Sequence, residues 1–582
     1  MGKNNIVVLG IHYFGHDSGA ALVQNGKVVA AINEEKIRNI KHCGGYPTKS
    51  IEEVFKIAKL EPSQVDAVAI AGIMGEEFLP LSQMFPNYRS LFSYFSLLKA
   101  HKKGLEHLSS YLERIMKMDP IRNFLNTLGV PLNELIFVEH HAAHAAAAYY
   151  LSPWNFDDEV LILTADGQGD GLSSTVNIGH KSNIERIENS ETSYYDSLGL
   201  SFYSQITAYL GMNWAFDAYK VMGLAPYGKT TLSIDKIKHI IDIDTTNPLK
   251  FRNKMNAFLY AMQPKLRELL KEDRFDNIAA ATQSCFETLI TKWVSSAVEK
   301  TGIRKIACGG GNFLNVKANR KILSLDNVDD IFFCPAAGDD GIAVGAALKG
   351  YFEMASRDGI KPTKEPLKGN YFGSSFTNEQ IKDTLKKRGM LDKAQYIDDI
   401  DEEVGELLAT SNMVVARFSD RLEWGPRALG NRSILANASD IRVVRKINNA
   451  IKMRDFWMTF GPSILSTRID DYLINTMESP YMMMAFDTTE KRDDISAGLH
   501  PYDFTSRPQT VNSEYNSGYE RVLKSFESKT SIGGILNTSF NIHGYPIVWD
   551  PERALDTLEN SSLDVLAIGN YLIKRIRNSS KH

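Results

Sequence analysis

Three of the chain's 13 histidines fall within five residues, in the stretch VEHHAAHAAAAYY. The alanines predict a helix there. His140 and His144 stand four apart, so one helix face carries both and can present them to a single ion, while His141 points elsewhere. Two imidazoles need carboxylates to complete a metal site. Asp166 and Asp339 each stand at the end of an expected strand, in a glycine-rich loop where α/β folds gather ligands. Either aspartate alone also fits an ordinary turn. Imidazole plus carboxylate without thiolate suits iron(II), manganese or zinc.

Two further clusters could handle anions. Gly309, Gly310, Gly311 and Asn312 join a short strand to a helix. Bare amides at such a junction either hold phosphate or ribose or simply make a tight turn, and the pattern is neither a P-loop nor GxGxxG. The stretch DRLEWGPRALGNRSIL places Arg421, Arg427 and Arg432 within twelve residues, and Lys452 and Arg454 follow. Arginine forks bind phosphate or carboxylate. Pro426 and the flanking glycines mark a shaped loop, whereas the bland reading is solvated surface charge. Downstream, NTSFNIHGYPIV adds Asn537, Ser539 and Asn541 after an apolar strand.

The elements that must position these residues alternate between strand and helix. Ile6 to Ile11 reads as a strand, and Ala20 to Val23 and Val28 to Ile32 flank Asn25-Gly26, a strong hairpin signal. Between the first two strands lies the polar loop GIHYFGHDSG. The unit returns about 150 residues later: Val160 to Thr164 as a strand, a glycine loop over 166–171, and Leu172 to Ile178 as the returning strand. Such a duplication is the signature of actin-like nucleotide-binding folds. Residues 274–300 read as a helix, followed by strands at 306–308 and 330–334. This alternation predicts α/β layers. Residues 354–370, with Pro362 and Pro366, are the expected linker to a second domain.

At 582 residues the chain exceeds what one core supports, and two or three domains are expected. Its net charge of -4 gives no electrostatic reason for a nucleic-acid partner. Cys43, Cys285, Cys308 and Cys334 are scattered without a Cys-x-x-Cys pair, which fits a reducing cytoplasm and excludes a zinc knuckle. No segment approaches the roughly 18–20 apolar residues that cross a bilayer, and the N-terminus does not read as a signal peptide.

Taken together, HDSGAALVQNGKVVAAINEEK, HHAAHAAAAYY, DGQGDG, KVMGLAPYG, GGGNFLNVKAN, GDDGIAVGAA, EWGPRALGNRSIL and NTSFNIHGYPIV resemble, in order, the carbamoyltransferase family of the nodulation protein NodU and the cephem, aminoglycoside and ansamycin O-carbamoyltransferases. The resemblance implies an α/β protein with an N-terminal actin-like (ASKHA) duplicated domain over 1–358 and a C-terminal YrdC-like domain over 368–582. It implies an ATP-dependent O-carbamoyltransferase. The C-terminal domain would make carbamoyl-adenylate from carbamoyl phosphate and ATP. The N-terminal domain would pass the carbamoyl group to a hydroxyl of a small-molecule acceptor.

Carried over residue by residue, the resemblance makes His140, His144, Asp166 and Asp339 ligands of a divalent metal, iron(II) first. Gly309, Gly310, Gly311, Asn312 and Asn315 become nucleotide contacts. Arg427, Arg432, Lys452, Ser539, Asn537, Asn541 and Arg507 become carbamoyl-phosphate and adenylate contacts. His16 becomes the group that handles the acceptor proton, with Asp17 as the alternative. ATP with Mg2+ is the expected cosubstrate. The expected partners are carbamoyl phosphate, ATP and the acceptor, with no nucleic acid and no membrane; a homodimer is compatible.

Two stretches depart from the family pattern. HPYDFTSRPQTV has one extra residue between His500 and Asp503, which unsettles the roles of His500 and Arg507. NWAFDAY replaces the usual acidic-glycine run before KVMGLAPYG and points to an unusual acceptor. The aromatics of residues 74–130 are further candidates for lining the acceptor pocket. The competing readings are a transferase acting on a macromolecule and a nonenzymatic nucleotide sensor. The lack of basic excess and of Cys-x-x-Cys zinc motifs argues against the first, and the arginine-rich second domain against the other.

Overall fold

The computed structural model describes residues 5–72, 119–411, 413–452 and 454–575. Of the stretch 74–130, residues 74–118 lie outside the described residues. The chain divides into two compact units, one made of residues up to Glu34 with Gly44–Leu367, the other of Glu35–Cys43 with Lys368–His582.

The first unit is built on two sheets of one topology. The first comprises β1 (Val7–His12), β2 (Gly19–Gln24), β3 (Lys27–Asn33), β4 (Ala67–Ala71) and β5 (Leu135–Val138), in the order β3-β2-β1-β4-β5. β1 to β3 are antiparallel, and β4 and β5 run parallel to β1. Asn25 and Gly26 both take positive φ, 52° and 83°, as the expected tight hairpin demands.

The second sheet comprises β6 (Val160–Gly169), β7 (Leu172–His180), β8 (Asn183–Arg186), β12 (Lys305–Gly309) and β13 (Asp330–Phe333), with β9 (Thr192–Ser193) added against β7. Its order is β8-β7-β6-β12-β13, again an antiparallel triplet followed by two parallel strands. A short ladder of β10 (Ile241–Ile243) and β11 (Phe251–Asn253) lies apart. Two copies of one strand order are the duplicated actin-like architecture that the repeated hairpin predicts. One detail differs: β6 does not stop at Thr164 but continues through Gly169 with a register shift after Ala165, and the turn is confined to Asp170-Gly171. The glycines there let the strand bend without leaving the sheet.

Small residues bring the layers together. A Cβ at Gly10 of β1 would lie 2.0 Å from the Ala343 carbonyl oxygen, and one at Gly345 would lie 1.9 Å from that of Ala143. The helix Ile342–Arg357 therefore approaches both β1 and the helix His140–Tyr150 at backbone distance, which only glycine permits. Past that helix, the expected linker is pinned to the first unit: Thr363 donates to the Asn25 carbonyl, and the Lys364 ammonium donates to Ser152 and the Trp154 carbonyl.

The second unit is α/β around an eight-stranded mixed sheet. Its strands are β14 (Ala394–Tyr396), β15 (Val415–Phe418), β16 (Arg432–Asn437), β17 (Gly461–Leu465), β20 (Gln509–Val511), β21 (Gly534–Ser539), β22 (Val565–Ile568) and β23 (Tyr571–Lys574), with β18 (Leu473–Ile474) and β19 (Asp487–Thr488) as a separate pair. The order is β14-β23-β22-β15-β16-β21-β17-β20. Val404, Leu408, Val415, Leu435, Val522, Phe526 and Ile535 are buried where the helices Ile400–Thr410 and Ser513–Thr530 cover one face. Each such aliphatic side chain contributes about 1.5–3 kcal/mol on full burial. Below them Arg417 and Asp401 form a buried pair at 2.7 Å.

Candidate functional site

The helix His140–Tyr150 starts at a fixed point. The Glu139 carboxylate caps it by accepting from the His141 and Ala142 amides, and Arg186 holds that carboxylate at 2.6 Å. Asp170, in the β6–β7 turn, accepts from the His140 amide at 2.7 Å. From this start His140 and His144 project from one face, their Nε2 atoms 3.1 Å apart. Asp166 reaches the pair from β6 and Asp339 from the turn that begins the helix Ile342–Arg357.

His140 Nε2 lies 3.4 Å from Asp166 Oδ2 and 3.3 Å from Asp339 Oδ1, and His144 Nε2 lies 4.0 and 3.5 Å from the same two atoms. All four side chains are buried, and one donor atom from each falls within 4.8 Å of the others. The Gly311 amide occupies Asp166 Oδ1 at 2.7 Å, which leaves Oδ2 for the cluster. Asp339 Oδ1 is buried without a hydrogen-bond donor. Two imidazole nitrogens and two carboxylate oxygens converging with an orphaned acceptor fit a first-row divalent cation.

The charges within the group are mutually adjusted. Burial alone would push His140 down, but Asp339 and Asp166 outweigh it and hold the imidazole well above its ordinary value. Asp339 is held well below the usual carboxylate range, with His140, His144 and His16 overcoming its burial. His141 behaves differently, as its position in the helix predicts. Its Nδ1 meets Thr164 Oγ1 at 2.8 Å, and burial together with its two neighbouring imidazoles pushes it well down.

The loop between β1 and β2 brings His16 to this group. His16 Nε2 is 3.9 Å from Asp339 Oδ2, and its Nδ1 is 2.9 Å from Asp17 Oδ2. Asp17 takes a positive φ of 56°, which turns its carboxylate back onto the His16 ring. His12 supports the loop from beneath. Burial pushes its imidazole down to about 4, so it is neutral, and its Nε2 meets the His16 carbonyl at 3.1 Å. The Asn33 amide donates both to the Asp17 carbonyl and to that of Asp340, which ties the loops of the two halves together.

The glycine cluster after β12 lies against the same floor. Gly310 has φ of 102°, and a Cβ there would sit 2.2 Å from the Ala165 carbonyl oxygen; at Gly311 it would meet Asp166 Oδ1 at 2.7 Å. Gly309 in turn backs onto the His144 carbonyl. Asn312 lies beside Gly199. Asn315 caps the helix Val316–Leu323 through the Ala318 amide and exchanges hydrogen bonds with Gln283, which also accepts from Tyr203. The cluster is thus a turn whose Gly311 amide holds the Asp166 carboxylate.

In the second unit one carboxylate shapes the arginine loop. Glu423 Oε1 accepts from the Leu429, Asn431 and Arg432 amides at 2.8–3.0 Å. Lys36, from the segment Glu35–Cys43, donates to the Glu423 and Gly425 carbonyls at 2.9 Å each. This loop separates its arginines. Arg427 and Arg454 are the charges that, after burial, press Arg507 well below its ordinary value. Lys452 is likewise pushed well down by burial, then by Arg454 and Lys41, and it donates to Ser539 and Asn541.

Among the described residues neither Lys452 nor Arg507 has a carboxylate partner. A buried lysine and a half-buried arginine gathered in this way favour an anion. Asn537 lies beneath, donating to the Ala428 carbonyl, Ser463 and Gln509.

Arg432 takes a different place from the one its spacing suggests. It is fully buried, spends its guanidinium on the carbonyls of Ser419, Asn431, Ser374 and Asp420, and stacks on Phe418 at 3.7 Å. Arg421 likewise donates to the carbonyls of Gly373 and Phe372. His500 stays within its own loop, its Nδ1 meeting the amides of Tyr502 and Asp503. Sequence reasoning missed Lys36, Lys41 and Glu423. Glu423 stands inside the arginine motif, whereas Lys36 lies 387 residues before it and neither lysine carries a local signal.

The family model described as carbamoyltransferase N-terminus matches residues 7–348, and the carbamoyltransferase C-terminus model matches residues 406–575. The chain therefore belongs to the carbamoyltransferase family and is a transferase enzyme of carbamoyl groups. It is 30% identical to the Synechocystis protein sll1178, over 98% of this chain and 96% of that one. It is 29% identical to the nodulation protein NolNO of Sinorhizobium fredii, over 97% of this chain and 79% of the relative. Component A of the Acidaminococcus fermentans (R)-2-hydroxyglutaryl-CoA dehydratase overlaps 60% of this chain and 99% of its own with a TM-score of 0.33, at 15% identity. Among the described residues no helix is long and apolar enough to cross a membrane.

Proposed function

We propose that the chain is an ATP-dependent O-carbamoyltransferase. The second unit forms carbamoyl-adenylate from carbamoyl phosphate and ATP-Mg2+, and the first unit transfers the carbamoyl group to a hydroxyl of a small-molecule acceptor. The observation that carries this reading is the division of labour. Concentrated positive charge gathers in one unit, and a buried imidazole–carboxylate group lies beside a half-exposed histidine in the other.

In the second unit Arg427, Arg454, Arg507 and Lys452 neutralise the phosphates: water first cleaves carbamoyl phosphate to carbamate and inorganic phosphate, and a carbamate oxygen then attacks the α-phosphorus of ATP and expels pyrophosphate. Ser539 and Asn541 orient the Lys452 ammonium. Arg432 supports this arrangement by shaping the loop. In the first unit His140, His144, Asp166 and Asp339 hold a divalent cation, iron(II) first, with manganese or zinc as the others. Bound there, it supplies Lewis acidity toward the carbamoyl carbonyl. His16 takes the acceptor hydroxyl proton at Nε2 while Asp17 steadies its Nδ1. The acceptor oxygen bonds to the carbamoyl carbon and AMP leaves. A positioned base of this kind contributes about 10²–10⁴-fold in rate. Gly309, Gly310, Gly311, Asn312 and Asn315 frame the nucleotide.

The test is pyrophosphate release from ATP with no acceptor present. Release that requires carbamoyl phosphate supports the reading; release absent under these conditions, in folded protein, refutes it.

A further inference from the structure

The reaction group is bordered by aromatic rings that the chemistry above does not use. Phe216 meets the His16 ring edge-on, centroids 5.9 Å apart. It stands in the turn 211–217, which is held shut by its own hydrogen bonds. Asp217 accepts from the Asn213 amide, Asn213 accepts from the Ala215 amide, and the Asn213 carbonyl accepts from the Phe216 and Asp217 amides. The same turn and the start of the helix Ala218–Leu224 carry Trp214 and Tyr219, which are 44% and 38% exposed.

Next to the His16 loop, the amide of Gly45 donates to the Tyr13 carbonyl, and Gly44 packs on the Gly15 carbonyl. Tyr46 is there engaged by other rings, at 5.0 Å from Tyr13 and stacked on Phe124 at 4.4 Å between centroids. A single exposed aromatic needs no explanation. Here Phe216 meets the one side chain expected to meet the acceptor hydroxyl, and the exposed Trp214 and Tyr219 stand within three residues of it, on and just after a hydrogen-bonded turn. Exposed aromatics on a rigid support offer flat contact at small entropic cost.

We propose that Trp214, Phe216 and Tyr219 are the acceptor-recognition residues, and that the acceptor carries its reacting hydroxyl on a ring with a flat apolar face. The inference rests on the reading that transfer occurs at His16. Phe216 sets the distance of the ring from His16, and Trp214 and Tyr219 supply the stacking face. A linear polyol could reach His16 but would leave those rings in water, so the preference is for ring-bearing over linear alcohols.

The test uses the full chain and two probes, cyclohexanol and glycerol, by saturation-transfer NMR, which reads binding without any turnover. The ring alcohol should show transfer from the protein and glycerol little. The Trp214→Ala/Tyr219→Ala double variant should weaken ring-alcohol binding about three- to tenfold, the range of an aromatic stacking contact. Both residues are exposed, so its melting temperature should stay at the parent value, and a folded variant keeps the comparison interpretable. Equal transfer to both alcohols in the parent, or undiminished ring-alcohol transfer in the folded double variant, overturns the proposal. Because binding is read without ATP, ring preference in a protein that releases no pyrophosphate would leave this inference standing while refuting the adenylation reading.

Discussion

Gly169→Ala should empty the metal site without touching a ligand atom. A Cβ at Gly169 would fall 2.0 Å from His140 Cγ, 2.1 Å from Cδ2 and 2.5 Å from Nδ1. The imidazole is buried, so it cannot yield into solvent and must rotate or translate by more than 1 Å, given that a Cβ contact under about 3 Å is not tolerated. Its Nε2 then leaves the 3.1–3.4 Å positions it holds relative to His144, Asp339 and Asp166. Misdirecting a ligand through its support typically costs about 10–100-fold in metal affinity. Overpacking adds about 1–3 kcal/mol of instability.

Gly167→Ala is the matched control. A Cβ there meets nothing within 4 Å, and neither glycine adopts a positive φ that alanine would resist. The assay is elemental analysis after dialysis against a competing chelator, with thermal melting beside it. Gly167→Ala should retain parental metal and Gly169→Ala should lose it while still folded. If Gly169→Ala keeps parental stoichiometry and affinity, or the parent holds no metal, the reasoning about the four-residue group is refuted.

Three further expectations follow from particular contacts. His141→Ala should keep the metal, because His141 faces Thr164 and not the donor group, and should lose about 1–3 kcal/mol of stability by leaving Thr164 and Thr175 short of a buried partner; metal content and chemical denaturation read the two effects. Arg432→Ala should act through folding, lowering stability by about 2–4 kcal/mol as its carbonyl partners are stranded, whereas Arg427→Ala should melt near the parent and fail in adenylation; melting and pyrophosphate release separate them. Lys36→Met should cost about 1.5–3 kcal/mol for its charged hydrogen bonds and raise KM for carbamoyl phosphate, measured by steady-state kinetics, because it slackens the loop bearing Arg427.

Much of this arrangement was legible in the residues, for physical reasons. Helical periodicity alone places His140 with His144 and sends His141 away. Hairpin chemistry at Asn25-Gly26, where positive φ restricts which residues can stand, and the glycine loop over 166–171 between two apolar runs expose the duplication. Asp166 and Asp339 are readable as carboxylates in glycine-rich stretches after apolar runs, although Asp166 lies within β6 and not at its end, and the turn before the helix Ile342–Arg357 is what brings Asp339 to the same histidines. What stayed hidden depends on long-range folding. Arg432 and Arg427 look alike in a motif; only the Glu423-centred loop turns one inward to carbonyls and the other toward Arg507. Lys36 joins that loop, and Lys41 acts on Lys452, from the N-terminal part of the chain, and no periodicity reports such proximity. The continuation of β6 through its glycines was also out of reach, since glycine reads as loop unless a partner strand supplies hydrogen bonds.

The two-site account is tested most directly by comparing His16→Asn with Arg427→Ala for pyrophosphate release and for carbamoylated product, the latter detected by mass. Arg427 belongs to the cation group of the second unit, and His16 borders the donor group of the first, 3.9 Å from Asp339. Arg427→Ala should stop both signals. His16→Asn should keep pyrophosphate release near the parental rate and lose product by about 10²-fold or more. If His16→Asn, shown to be folded, stops pyrophosphate release as completely as Arg427→Ala does, adenylation and transfer are not divided between the two units in this way.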